Sequence, residues 1–295
     1  MPGTRKNHFI PCCYSKQWAG DDGRLCEFSR PFHTVVPRRS HPAGTGYSID
    51  IYTEPALPPR QQTYLEDVFL KLVDQQAADA LTWVVQGRLE DMPLDLRRGW
   101  VRFLMSLLQR SPGKMIDLAR RWEVQLDQPD PDLQARYTVL RGSEDPETFQ
   151  EYMRLHPARV ARGRINAIQR AMDLPGVGGH ILNMRWAVLT VNDPKYEFLT
   201  SDRPIVMTNG LGRKGGHIGL AVDPYRLFIA ANESETIRQI AAMPGRELVK
   251  ICNERVVQQA ERQVYGRTDR ALRFVERHLR RVPSSTIPSI FKRVT

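Results

Sequence analysis

The sequence has few of the features that assign a chain at once to a class of protein. Its 295 residues include four cysteines, Cys12, Cys13, Cys26 and Cys252, which are too few and too irregularly spaced for a disulfide framework. No apolar run approaches the roughly 20 residues of a membrane span. The N-terminus is polar and lacks the apolar run of a signal peptide. We therefore expect reduced thiols and a cytoplasmic protein with no membrane partner.

Lysine is also scarce, because eight of the 43 basic residues are lysines and the other 35 are arginines, against 33 acidic residues. The formal net charge of +10 and the pI of about 9.7 favour an anionic partner such as nucleic acid or a nucleotide. Arginine binds phosphate through two parallel hydrogen bonds, which lysine cannot do. A GC-rich genome produces the same bias without any ligand, so composition leaves both explanations open.

The period of the apolar residues changes along the chain, and this change predicts the fold class. Residues 61–175 have apolar side chains at three- and four-residue spacing, which is typical of helices. Beyond residue 184 the period is two. Segments 217–222 and 226–231 are expected to form an antiparallel pair, because a connection of three residues cannot hold a parallel crossover. We predict one integrated α+β domain over 1–295, in which N-terminal and C-terminal strands form a mixed, mainly antiparallel sheet around a helical middle.

The C-terminal region is predicted to contain a helix from about 234 to 265 that is interrupted near Pro244-Gly245, a basic helix near 268–281 and a short basic tail rich in proline and serine at 282–295. Four arginines of the basic helix are three or four residues apart and would share one side: Arg270, Arg273, Arg277 and Arg281. Such a stripe is a candidate nucleic-acid face. The alternative is a solvated surface, since no recognised DNA- or RNA-binding motif accompanies it.

A polar step separates two apolar, strand-like segments at Thr200-Ser-Asp-Arg-Pro204. Ser201 and Asp202, with a histidine from elsewhere, would suggest a hydrolase triad, but no G-x-S-x-G elbow surrounds the serine. In the alternative interpretation, Asp202 accepts hydrogen bonds from backbone donors where the strand is kinked. The sequence leaves a catalytic and a structural interpretation of this step.

Two further patterns have ordinary explanations. Gly210-Leu-Gly-Arg-Lys-Gly215 matches the glycine spacing of dinucleotide sites, but a strand follows it where those sites need a helix. We therefore predict a hairpin loop, whose Arg213 and Lys214 can contact phosphate. His8 and the three N-terminal cysteines fit no spacing of structural zinc sites, so buried thiols are the better interpretation.

Four landmarks follow one another in an order that resembles a known family. They are Asn7-His-Phe-Ile-Pro11, Leu199-Thr-Ser-Asp-Arg-Pro-Ile-Val206, Pro224-Tyr-Arg-Leu-Phe228 and Asn253 in a C-terminal helix. Over nearly the whole chain they resemble bacterial domain-of-unknown-function family 4238. The sequence departs from the family pattern at Cys12-Cys13, where a polar and an aromatic residue are usual. The resemblance implies no activity, substrate or catalytic residue.

Together, the polar landmarks predict a site. His8 would act as general base or metal ligand, and Asp202 would orient it or bind the metal. Ser201 is the third catalytic candidate. The candidates for substrate binding are Asn7, Arg203 and Asn253, and those for binding nucleic acid are Arg213, Lys214, Arg270, Arg273, Arg277 and Arg281.

The leading hypothesis is a hydrolase directed at nucleic acid or phosphate, which cleaves a phosphodiester. The sequence does not decide whether the reaction uses a divalent metal. The alternative is a non-catalytic module that binds nucleic acid or protein, in which these residues are structural. A small-molecule or nucleotide sensor is a third class. The hydrolase requires His8 and Asp202 within one water-bridged hydrogen-bond span and opening onto a pocket. The sequence does not indicate the oligomeric state.

Overall fold

The structure is a computed structural model, which describes residues 6–173, 175–208 and 210–280. The N-terminal elements are three-residue to five-residue strands and one short helix. They are β1 (Lys6–His8), α1 (Cys12–Ser15), β2 (Leu25–Ser29), β3 (Val36–Ser40) and β4 (Tyr47–Ile49).

Helix α1 and the turn after it anchor the N-terminus to the C-terminal half of the chain. Pro11 precedes the helix, where its fixed φ favours a helical start. The Tyr14 hydroxyl hydrogen-bonds to Oγ1 of Thr200 and donates to the carbonyl of Ala221, both at 2.7 Å. Nε1 of Trp18 donates to the carbonyl of Phe198 at 2.8 Å. Because both aromatic side chains are fully buried, these bonds fix the N-terminal segment in the core.

The middle of the chain is helical, which confirms the helical period of the sequence. A π-helical stretch, Leu65–Leu70, continues directly into the first long helix. The helices are α2 (Lys71–Val85), α3 (Leu94–Gln109), α4 (Pro112–Asp127), α5 (Pro131–Leu140), α6 (Phe149–Leu155), α7 (Pro157–Met172) and α8 (Pro175–Asn183). The glycines after Pro175 were expected to end the helical region. They lie within α8 instead, because proline costs nothing in a first helical turn.

The C-terminal half contains most of the strands. Its elements are β5 (Arg185–Thr190), β6 (Thr200–Ser201), β7 (Val206–Met207), β8 (His217–Asp223), β9 (Arg226–Ala231), α9 (Ser234–Ala241), α10 (Gly245–Gln259), β10 (Gln263–Gly266) and α11 (Leu272–His278). The predicted pair at β8 and β9 is present, with Leu220 opposite Phe228. The α+β class is therefore confirmed.

The strands form three antiparallel groups among the described residues. β1 pairs with β4, a four-stranded sheet has the order β3-β2-β10-β6, and a second has the order β5-β9-β8-β7. Val264 of β10 lies opposite Phe28 of β2 on one side and Ser201 of β6 on the other. N-terminal and C-terminal strands thus share a sheet, as expected, although the C-terminal strands divide between two sheets.

Helices α2 and α3 cover the second sheet. Trp100 of α3 packs edge-on against Phe228 of β9, with ring centroids 5.4 Å apart, and Trp186 of β5 meets the same phenylalanine at 5.2 Å. In the described part of the chain, no helix is long and apolar enough to cross a membrane.

The predicted helix from 234 to 265 is wrong in its last part. α10 ends at Gln259, the chain extends at Ala260, and the following residues form β10 at the centre of a sheet. The predicted basic helix is also shorter, because α11 begins only at Leu272 after a 3₁₀ turn. Arg281 and the predicted tail at 282–295 lie outside the described residues.

Candidate functional site

Asp202 is a buried structural group. It is 2% exposed, and its carboxylate accepts three backbone N–H groups, from Glu261 at 2.8 Å, Arg262 at 2.6 Å and Gln263 at 3.0 Å. Burial raises the pKa of Asp202 to about 7, although these amides lower it. The carboxylate therefore stabilises the turn between α10 and β10, as the structural interpretation of the polar step requires.

The neighbours of Asp202 also form hydrogen bonds that hold the backbone in place. The Ser201 hydroxyl donates to the carbonyl of Val256 at 3.2 Å and accepts from the backbone of Arg203 at 3.1 Å. Ser201 is fully buried and its hydroxyl bonds only to backbone groups, with no histidine to activate it as a nucleophile. The carbonyl of Arg203 accepts from the side-chain amide of Gln259. The polar step is a junction between strand β6 and helix α10.

Asn253 holds a neighbouring segment of backbone. Its Oδ1 accepts from the backbone of Leu199 at 2.7 Å, and its Nδ2 donates to the carbonyl of Glu197 at 2.9 Å. The amide thus replaces a strand partner for the segment that leads into β6. This use of both ends of the side chain accounts for Asn253 without a substrate.

His8 and Asp202 do not form the predicted pair. No hydrogen bond or ion pair joins them, although both lie in the described residues, and both Asp202 oxygens already accept backbone amides. The charges that act on the His8 imidazole come from Lys6, Asp74 and Arg110. The candidate site is therefore the group of residues that surrounds His8.

A buried ion pair lies at the centre of these surroundings. The Arg110 side chain is 1% exposed, and its Nη1 donates to Oδ1 of Asp74 at 2.8 Å. The Asp74 side chain is 29% exposed, so the pair reaches solvent at that end. Burial raises the pKa of Asp74, against the charge of Arg110, which lowers it. A buried arginine is retained only where its charge is compensated.

Glu66 adds a second carboxylate to this pair. It lies on the π-helical stretch before α2, and irregular helical turns of this kind are frequent at functional sites. Burial raises the pKa of Glu66 to about 7, while the charge of Arg110 lowers it and that of Asp74 raises it. At neutral pH, Glu66 is therefore a carboxyl group that can donate a proton as well as accept one.

Asn7 and His8 complete the cluster from strand β1. Asn7 is 1% exposed, and its Oδ1 accepts from the backbone of Tyr52 at 3.4 Å. The Tyr52 hydroxyl in turn donates to the carbonyl of Arg110 at 2.8 Å. Burial lowers the pKa of His8, and the backbone of Ala43 opposes this effect. His8 is therefore a neutral imidazole at pH 7.

We name this ion pair and the three residues beside it the Arg110 cluster: Asn7, His8, Glu66, Asp74 and Arg110. Several of its buried polar atoms have no hydrogen-bond partner in the described residues. They are Asn7 Nδ2, His8 Nε2, Glu66 Oε2, Arg110 Nε and Arg110 Nη2. Buried polar atoms are nearly always paired with protein, water or a ligand, so their concentration in one cluster is typical of a site that holds water or a polar ligand.

The thiols beside the cluster are not activated. Burial raises the pKa of Cys13 to about 12 and also raises that of Cys12, and the Cys13 thiol donates to the carbonyl of Asp74 at 3.9 Å. A thiol is a nucleophile or metal ligand only as a thiolate. Within the residues that the structure describes, no three His, Cys, Asp or Glu side chains are placed to hold a metal ion.

The sequence contained a signal for two members that the motifs missed. Arg110 follows Phe103 by seven residues, and Asp74 precedes Leu81 by seven. Both charged residues therefore lie on the apolar faces of their helices. A charge on a buried face requires a partner, so each helix needed an opposite charge on its neighbour. Glu66 gives no such signal, because its burial depends on the π-helical turn.

The candidate phosphate loop is a hairpin, as predicted. The loop lies between the antiparallel strands β7 and β8, and Arg213 and Lys214 are exposed in it. The side chain of Asn232 donates to the carbonyls of Leu211 and Arg213. The loop therefore has its own support, and no helix follows it that would bind a pyrophosphate.

The predicted arginine stripe is divided by the fold. Arg270 lies in the 3₁₀ turn before α11, and it lines a groove with Asn253 and Arg277. The groove has a volume of about 400 Å³ and lies between α10, α11 and residues 195–199. We name it the α10–α11 groove. Arg273 is exposed but does not line it.

One comparison with known proteins gives a match. The chain matches the model of the family described as "Protein of unknown function (DUF4238)" over residues 6–270. No curated protein and no solved structure matches it.

Proposed function

The chain belongs to the DUF4238 family, which brings no reaction with it, and we propose that the Arg110 cluster is the active site of a hydrolase that acts on phosphodiesters. The observation that supports this proposal most is the unpartnered edge of a buried arginine. Nε and Nη2 of Arg110 have no partner in the described residues, while Nη1 is held by Asp74.

The free edge of Arg110 defines the class of ligand. Nε–H and Nη2–H present two parallel donors, which bind two oxygens of a phosphate or carboxylate. Nδ2 of Asn7 is a further donor without a partner. In a buried site such charge-assisted bonds are stronger than in water. Arg110 and Asn7 would therefore bind the non-bridging oxygens of the phosphate.

The other two unpartnered atoms match the proton transfers of hydrolysis. His8 is a neutral base at pH 7, and Glu66, with a pKa of about 7, is in part protonated. Titratable groups whose environments shift their pKa values in opposite directions mark the base and the acid of a site. Nε2 of His8 and Oε2 of Glu66 are the atoms that would exchange protons with the substrate.

The reaction balances with these two groups. Nε2 of His8 takes a proton from water as the water oxygen forms a bond to phosphorus. The bond from phosphorus to the leaving oxygen breaks, and Glu66 gives its proton to that oxygen. Arg110 stabilises the negative charge on the phosphoryl oxygens. Asp74 acts only on Arg110, as a positioning residue.

A turnover assay tests the proposal. We expect the wild type to hydrolyse bis-p-nitrophenyl phosphate, DNA, RNA or a nucleotide, assayed with and without a divalent cation. His8→Gln should lower kcat by about 10²–10⁴-fold, the usual contribution of one acid–base group. His33, an exposed histidine outside the cluster, provides the control His33→Gln, which should keep the wild-type rate.

Two results would contradict the proposal. One is a folded wild type that turns over none of these substrates under either condition. The other is a His8→Gln variant with the same rate as His33→Gln. Either result would favour the non-catalytic module, in which Asn7 and His8 only attach strand β1 to the helices.

A further inference from the structure

The α10–α11 groove is lined by basic side chains that form no ion pairs in the described residues. Five basic side chains line it: Lys195, Arg246, Lys250, Arg270 and Arg277. All five are exposed. In the described residues none of them forms an ion pair, whereas arginines elsewhere do so, as Arg102 does with Asp173. Five unpaired cations around one concavity repel each other unless an anion lies between them.

The acidic residues of the groove do not neutralise these cations. Oε1 of Glu197 accepts a hydrogen bond from the Tyr225 hydroxyl at 3.1 Å. Oε1 of Glu254 lies 3.6 Å from Nε2 of His278. The five cations outnumber these two carboxylates by three, and this excess positive charge is available to a ligand.

Two aromatic side chains accompany the cations. Tyr196 and Phe274 line the groove, and both are half-buried, so a face of each remains accessible. Phe274 is held by the ring of His278, whose centroid lies 4.3 Å away at an angle of 32°. Cations beside accessible aromatic rings are the combination that binds single strands, in which phosphates meet the charges and bases stack on the rings.

We propose that the α10–α11 groove binds a single-stranded nucleic acid. Lys195, Arg246, Lys250, Arg270 and Arg277 contact its phosphates, and Phe274 and Tyr196 stack on its bases. This inference does not rest on the proposed hydrolase, because it concerns different residues and requires binding without turnover. The groove volume of about 400 Å³ lies within the range of about 300–1,000 Å³ for ligand sites.

A single strand fits the groove better than a duplex. A base can stack on Phe274 only if it is unpaired and turned out, which a duplex permits only at the cost of unstacking. Phe274 of the short helix α11 lies in the groove wall. The helix is therefore not placed as a recognition helix that enters a major groove.

Fluorescence anisotropy with the full-length protein tests the proposal. The probes are a labelled 12-nucleotide DNA strand, the same strand as RNA and the corresponding DNA duplex, each titrated at several salt concentrations. We expect single strands to bind at least tenfold more tightly than the duplex. The logarithm of the affinity should fall with the logarithm of salt concentration at a slope of about −3.5 if all five cations contact phosphate.

Two arginines of the predicted stripe provide a pair of matched variants. Arg277→Glu and Arg273→Glu change the net charge equally, on the same helix, but only Arg277 lines the groove. We expect Arg270→Glu and Arg277→Glu to weaken binding about tenfold or more, and Arg273→Glu to weaken it less than threefold, because Arg273 does not line the groove and makes no direct contact with phosphate there. Phe274→Ala should lower the affinity about tenfold with little change in the salt slope.

Several results would overturn the inference. Equal losses for Arg273→Glu and Arg277→Glu would show a general effect of charge. Equal affinity for duplex and single strand would show that Tyr196 and Phe274 do not stack on unpaired bases. Absence of binding at 50 mM salt would remove the site. Competition by adenosine monophosphate at the same concentration as the strand would assign the groove to a free nucleotide.

Discussion

Asp202 is expected to contribute to stability and not to catalysis. Alanine at this position removes the acceptor of three backbone N–H groups, those of Glu261, Arg262 and Gln263. A buried donor without an acceptor costs about 1–3 kcal/mol. The turn is partly exposed at Arg262, so water can solvate some of these donors. We therefore expect Asp202→Ala to lower the free energy of unfolding by roughly 3–5 kcal/mol.

Urea unfolding followed by circular dichroism measures this loss. Asp202→Asn keeps one acceptor oxygen in the same place, so it should lose about half as much as Asp202→Ala. Asp79→Ala is the control, since Asp79 is exposed on α2 and its loss should cost less than about 0.5 kcal/mol. Below the unfolding transition, Asp202→Asn should keep phosphodiester turnover per folded molecule within about twofold of wild type.

One outcome would refute this account of Asp202. It is an Asp202→Ala protein within 1 kcal/mol of wild-type stability that has lost its turnover. That result would assign the Asp202 carboxylate a catalytic role and would show that it does not stabilise the turn at residues 260–263.

Three further predictions follow from the contacts of single residues. Burial raises the pKa of Glu66 from 4.5 to about 7. The contribution of Glu66 to the free energy of unfolding is therefore full below about pH 4.5 and declines as the pH rises to about 7, by at most about 3 kcal/mol before solvent screening. The melting temperature should fall accordingly between pH 5 and 8, and Glu66→Gln should remove this fall. Asn253→Ala breaks two hydrogen bonds to backbone and should cost about 1–3 kcal/mol in urea unfolding, whereas Asn253→Asp should cost less than alanine if its Oδ1 acceptor matters most. Cys12→Ala and Cys13→Ala should keep the wild-type kcat, since both thiols are neutral; a loss of turnover in either variant would assign a thiol to the reaction.

The period of the apolar residues predicted most of the fold because local patterns decide local structure. Helices α2, α3, α4, α6 and α7 and the pair β8 and β9 follow from local sequence patterns, whereas α5 was not predicted. The strand at Gln263–Gly266 does not, because its residues continue the apolar period of α10. Only Asp202, about 60 positions earlier in the chain, accepts the amides that end the helix. A helix end that depends on a distant side chain is not visible in a local window.

The candidate site was predicted in part. Asn7 and His8 interrupt an apolar segment, and the structure places them against a buried ion pair. Asp202 interrupts an apolar segment in the same way, yet its oxygens are fully used by backbone donors. Sequence shows that a polar residue is surrounded by apolar ones, but it does not show whether backbone or ligand pairs with it. The distant pairing of Arg110 with Asp74 is likewise set by the packing of α2 against α3.

The pH dependence of phosphodiester turnover tests the Arg110 cluster most directly. His8 must be neutral, so kcat/KM should fall as the pH drops below its lowered pKa. Glu66 must be protonated, so kcat/KM should also fall as the pH rises through about 7. We predict a bell-shaped profile whose alkaline limb falls through about pH 7 and whose maximum lies below that pH. The alkaline limb should be lost in Glu66→Gln. A rate that rises to a plateau above pH 8, or a Glu66→Gln variant with the wild-type profile, would contradict the assignment.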